Sequence, residues 1–114
     1  MINTLCLVGR LADISEIKIS ENNNKKLVLT IAVPRSYKNL NGEYECDFID
    51  CILCNELAIN TKKYYEIGDV IGIKGKLSGK RYKDKNGNLQ KEMKVIVEKI
   101  SFLSSKQKEG NSNE

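Results

Sequence analysis

From Leu27 to Val33 apolar side chains stand at every second position: Leu27, Leu29, Ile31 and Val33 fall on one face, with Val28, Thr30 and Ala32 opposite. A period of two belongs to a strand, so the chain is committed to building a sheet around this segment. The period returns after Asp69, where Ile71, Ile73, Gly75 and Leu77 alternate with Val70, Gly72, Lys74 and Lys76. Leu5 to Leu11 is an apolar run too short for a helix, and Gly9 in its middle marks a bend or a close approach of another backbone. A third strand is expected from about Glu45 to Cys54, with Ile49, Cys51 and Leu53 on one face and Phe48, Asp50, Ile52 and Cys54 on the other. Neither face is plainly a solvent face, which leaves one side for a ligand or a subunit. The last strand runs through Met93, Val95 and Val97 toward Ile100 and Phe102.

The punctuation between these runs sets their order. Glu21-Asn22-Asn23-Asn24 is a turn, Pro34 ends or edges the second strand, and Asn41-Gly42 and Asn86-Gly87 supply residues that tolerate positive φ in tight hairpins. Asn55 is placed to cap a short helix in which Leu57, Ala58, Thr61, Tyr64 and Tyr65 recur at helical spacing, with Gly68 where a left-handed C-terminal residue is wanted. Three strands, one helix and two more strands predict an all-β fold, a five-stranded Greek-key OB barrel with its helix between strands 3 and 4. A small α+β sheet with one covering helix fits the same pattern. With 114 residues there is room for one core. The barrel is expected over residues 1–103, and the polar stretch 104–114 is expected to be a disordered tail.

Composition removes several function classes. No run approaches the eighteen apolar residues of a membrane span, and Met1-Ile2-Asn3-Thr4 lacks the basic-then-apolar start of a signal peptide, so a cytoplasmic protein is expected. Cys51-Ile52-Leu53-Cys54 has CxxC spacing, but residues three apart on a strand point to opposite faces, so the two thiols should diverge. The chain has no histidine, no Gly-rich phosphate loop and no nucleophile with a matching base. Neither a cofactor, a metal nor an enzymatic activity is expected.

What remains is a pattern of rings and cations. Lys74, Lys76, Lys80, Arg81, Lys83 and Lys85 lie within twelve residues against one acid, Asp84, while the whole chain carries only +4. Tyr82 sits inside that run, Arg35, Tyr37 and Lys38 precede the first Asn-Gly turn, and Phe48 lies on the strand between. A flexible single strand offers flat base faces and a row of phosphates, which aromatic platforms with intervening positive charge would match. Taken singly, each aromatic is as readily a cover for its neighbours, and Phe48 a core or subunit-contact residue. Tyr44 is flanked by Glu43 and Glu45, which repel phosphate, and Tyr64 and Tyr65 fit the packing face of the helix. An RNA-binding OB module and a protein-binding OB module of a replication or conjugation assembly are the rival readings.

Leu7-Val8-Gly9-Arg10-Leu11, Ile31-Ala32-Val33 with Arg35 and Tyr37, Asp47-Phe48-Ile49-Asp50-Cys51, and Gly72-Ile73-Lys74-Gly75-Lys76-Leu77 followed by Arg81-Tyr82 are specific in their order and spacing. In them the chain resembles the bacterial single-stranded DNA-binding proteins from about Met1 to Leu103. The resemblance implies a sequence-independent partner, single-stranded DNA, in replication, recombination, repair or DNA uptake, and assembly as a homotetramer. It places Tyr37, Phe48 and Tyr82 at three of the family's stacking positions, with Arg10 and the basic residues named above as DNA contacts. Two departures are visible. Cys54 falls where another aromatic is usual and the chain has no tryptophan, which predicts weaker stacking. Family members typically close on a long linker and an acidic tip ending in Pro-Phe, whereas this sequence stops at Asn111-Ser112-Asn113-Glu114. If full length, it looks like the short paralogues of DNA uptake, phages or mobile elements, and recruitment of repair and replication enzymes through a tip is not expected.

Overall fold

Each period-two segment becomes a strand in the computed structural model, which describes residues 1–105. The strands are β1 (Leu5–Ile14), β2 (Lys18–Ile19), β3 (Lys25–Lys38), β4 (Tyr44–Cys54), β5 (Val70–Lys83) and β6 (Leu89–Ser104), and the helix α1 (Asn55–Tyr64) lies between β4 and β5. They hydrogen-bond in the order β1-β5-β6-β4-β3-β2, and a further β1–β3 pairing closes the five long strands into a barrel. This is the expected OB fold, with β2 as a two-residue addition that no sequence pattern announced. The expected tail lies, from residue 106 on, outside the described residues, and Ser104 ends β6 opposite Val70.

The alternation fills the barrel. Leu11, Leu27, Leu29, Ile31, Cys51, Leu53, Ile71, Ile73, Val95 and Val97 form one buried cluster, closed at one end by Ala58 of α1. Two glycines permit the closure. A Cβ at Gly9 would stand 2.3 Å from the Ala32 carbonyl oxygen, and one at Gly75 would stand 2.2 Å from that of Ile96. Gly9 thus marks the close approach its position predicted, where β1 leaves β5 for β3. The remaining closure is thin: β4 and β6 meet in parallel over two pairs only, Cys51 with Val95 and Ile52 with Ile96.

Several local expectations are corrected. β3 does not stop at Pro34 but runs on to Lys38, its register with β4 slipping between those residues because proline has no N–H for the ladder. Asn55 does not cap α1: it takes φ 55° as the first helical residue, and its Oδ1 accepts from the Lys25 N–H. Gly68 has positive φ but lies past the C-cap Tyr65, donating its N–H to the Leu11 carbonyl. Tyr64 is exposed beneath Lys63 Nζ rather than packed, whereas Tyr65 meets Phe102 edge to face at 6.3 Å. The CxxC thiols diverge as expected, Cys51 buried and Cys54 exposed. Burial, with Asp50 nearby, pushes the Cys51 thiol up to about 11.

Candidate nucleic-acid interface

The two long hairpins leave the barrel as arms because their strands outrun it. β3 and β4 pair as far as Lys38 with Tyr44, and β5 and β6 as far as Lys83 with Leu89. The rings that the sequence singled out are on the surface: Tyr37 is 66%, Phe48 69% and Tyr82 49% exposed. For Phe48 this removes the core reading, since it faces out of the barrel wall beside Ala32 while its neighbour Ile49 turns inward. Lys38 Nζ lies 5.6 Å from the centre of the Tyr44 ring, so Tyr44, set aside for its acidic neighbours, has a cation over its face.

The basic run of β5 is divided by the pleat. Lys74, Lys76, Lys80 and Tyr82 continue the outward face of the strand, Arg81 and Lys83 the opposite face, and Lys85 sits in the turn. The expected single stripe is therefore two rows, one on each side of a ribbon. On the second row Lys91 stands directly across from Arg81, and Met93 across from Gly79. Both were missed, although the Asn86-Gly87 turn fixes the register that brings them there.

Two expected cations are engaged within the protein. Arg35 donates from Nη1 to Glu45 Oε2 and from Nη2 to Asp47 Oδ1, each at 2.9 Å, and its pKa is raised chiefly by the hydrogen bond and charge of Asp47. Arg10 donates from Nη1 to the Gly68 carbonyl at 2.8 Å, tying the turn before β5 onto β1. It lies opposite Val70, roughly 40 Å along β5 from Tyr82, at 3.3 Å per residue over twelve residues. The structure does not bring Arg10 to the arms.

Between the arms the thin β4–β6 closure splays and leaves two adjoining depressions. One, of about 490 Å³, opens toward the barrel interior, with Leu5, Leu7 and Val95 deeper and the exposed Phe48, Leu77 and Met93 at its rim. The other, of about 380 Å³, lies on the outer wall, floored by Val28 and Ile52 and edged by Asp50, Lys18, Lys26 and Lys94. Lys94 is paired with Glu92 at 3.1 Å. Lys18 and Lys26 carried no signal in the sequence, and Asp50 entered only as part of a strand face and a motif, because what unites the three is a wall built from four strands.

A closed β-barrel with a helix at one end, exposed rings on its wall and arms, and cations between them defines an OB-fold binding protein of the single-strand type. Residues 2–103 match the Single-strand binding protein family, and the chain belongs to that family. It is 35% identical over 114 residues to Single-stranded DNA-binding protein 1 of Staphylococcus aureus, covering all of this chain and 70% of the relative. It is 30% identical over 114 residues to Single-stranded DNA-binding protein 3 of Streptococcus agalactiae, covering 100% and 83%. With Single-stranded DNA-binding protein 1 of Lactococcus lactis it shares 34% over 110 residues, covering 96% and 73%.

Proposed function

We propose that this chain binds single-stranded DNA without reading its sequence, stacking bases on Tyr37, Phe48 and Tyr82 and holding phosphates with Lys38, Lys74, Lys76, Lys80, Arg81, Lys83 and Lys85. The observation that carries the reading is the bare Phe48 ring, set in the barrel wall between the two arms. An exposed ring there costs solubility and contributes nothing to the core, but it gives a base a flat apolar surface. Every base has such a face, so stacking is tolerant of sequence. The reading is of a binding protein rather than an enzyme, working in the cytoplasm, with residues 1–103 as the binding unit.

Titration with oligo(dT) at several salt concentrations tests it. Replacing Tyr37, Phe48 or Tyr82 by alanine should each weaken binding by roughly 1–3 kcal/mol while leaving the fold intact by circular dichroism. Unchanged affinity in all three variants would leave the protein-binding rival standing, and displacement of poly(dT) by equal amounts of poly(U) would favour RNA. Assembly as a homotetramer belongs to the same proposal. Val8 and Leu103 are both more than half exposed and flank Gly72 on the outer barrel wall, a surface suited to a second copy. Light scattering checks the mass.

A further inference from the structure

The outer depression does more than continue a non-selective track. Phe48, Asp50 and Ile52 are alternate residues of β4 and share its outward face, so successive side chains there are about 6.7 Å apart. A stretched nucleotide spans a comparable length, so when one base stacks on Phe48, its neighbour reaches Asp50 and the floor made by Val28 and Ile52. Beyond Ile52, Cys54 offers no stacking surface, but Lys26 lies directly across from it and Lys18 directly across from Lys26. Neither lysine has an acidic partner among the described residues, which leaves both for flanking phosphates.

Asp50 is an unexpected group to find on such a path, because a carboxylate repels phosphate. Its geometry supplies a reason. The Thr30 hydroxyl, on the neighbouring strand, donates to Asp50 Oδ1 at 2.7 Å, which fixes the carboxylate plane and leaves Oδ2 open to a ligand donor. A carboxylate only accepts hydrogen bonds. Cytosine and adenine present exocyclic amines, as does guanine, whereas thymine and uracil present carbonyl oxygens there. The one ring N–H of uracil lies between two carbonyls that face the carboxylate unfavourably.

We propose that this depression is a base-reading slot in which Asp50, positioned by Thr30, accepts a hydrogen bond from an exocyclic amine and so biases the bound strand toward cytosine, adenine and guanine over thymine. The inference rests on the single-strand reading above and adds to it a preference for composition, not for order. Stacking still admits every base, and the slot grades them.

Oligo(dC) and oligo(dU) of equal length isolate the amine, since at pH 8 the two differ in the donor and acceptor groups of one ring edge and carry the same phosphates. The wild-type protein is expected to bind oligo(dC) about tenfold more tightly than oligo(dU), the lower range for a hydrogen bond to a charged group. In Asp50→Asn the amide both donates and accepts, and the ratio should fall to about one. Loss of the negative charge itself favours both oligonucleotides by the same factor, which cancels in the ratio. Asp50→Ala should give the same ratio, and circular dichroism reports the fold of each variant. A wild-type ratio near one, or a preference for oligo(dC) that survives in both variants, overturns the slot while leaving single-strand binding intact. Failure of both oligonucleotides to bind overturns the single-strand reading and the slot with it.

Discussion

At the scale of single residues, the arms show how a cation can be present in sequence and spent in structure. Arg35 sits between Glu45 and Asp47, so the three side chains together carry a net negative charge where a phosphate would pass. Asp47→Asn should therefore tighten oligo(dT) binding by about two- to threefold at low salt, the size of one screened charge at a nucleotide's distance, with the gain fading as salt rises. All three side chains are partly exposed, so loss of the ion pair should leave stability nearly unchanged. Tyr37 and Tyr82 were legible as candidates because both stand among basic residues ahead of a turn, and it was that joint placement, not either ring alone, that pointed to a ligand. The neutralisation of Arg35 was not legible. It depends on a cross-strand register that slips after Pro34, and the slip follows from a missing N–H in three dimensions, not from any periodicity.

At the scale of elements, turns and glycines carry the information that strands alone lack. Ser20, Asn39 and Asp84 each accept, through their carbonyls, the N–H three residues on, from Asn23, Gly42 and Gly87, and each of those three has positive φ. In the two arms, the Asn39 and Asp84 carboxamide and carboxylate oxygens also take two loop N–H groups each. The hairpins thus share one design, a three-residue loop closed by a left-handed residue, rather than the two-residue Asn-Gly turn the dipeptides suggested. Hairpin existence was readable, and loop type was not, since Asn-Gly serves both. Two substitutions separate the kinds of glycine. Gly75→Ala drives a methyl into the Ile96 carbonyl of the facing backbone and should lower stability by about 3 kcal/mol. Gly42→Ala meets open space at φ 77° and should cost only about 1–2 kcal/mol of left-handed strain. Urea midpoints of the two variants check the order.

At the scale of the whole molecule, the strands around Leu27–Val33 and Val70–Leu77 followed from alternation, because a buried face leaves a period that survives any tertiary context, and the turns between the apolar runs gave the order. What alternation could not supply is how firmly each seam of the barrel is sewn. β5 and β6 share fourteen register pairs, β3 and β4 ten, but β4 and β6 only two. Amide exchange in the free protein should accordingly be slow for N–H groups bonded within the two hairpins and faster for those directed across the β4–β6 join at Cys51, Ile52, Val95 and Ile96. Adding oligo(dT) should slow exchange at those four residues.

Both depressions of the interface straddle this weak join, with Phe48 and Asp50 on one bank and Met93 and Lys94 on the other. Cargo laid across it acts as a suture. The nucleic acid that the barrel shelters would in turn hold the barrel shut, so unloading the strand and loosening the fold become one event seen from two sides.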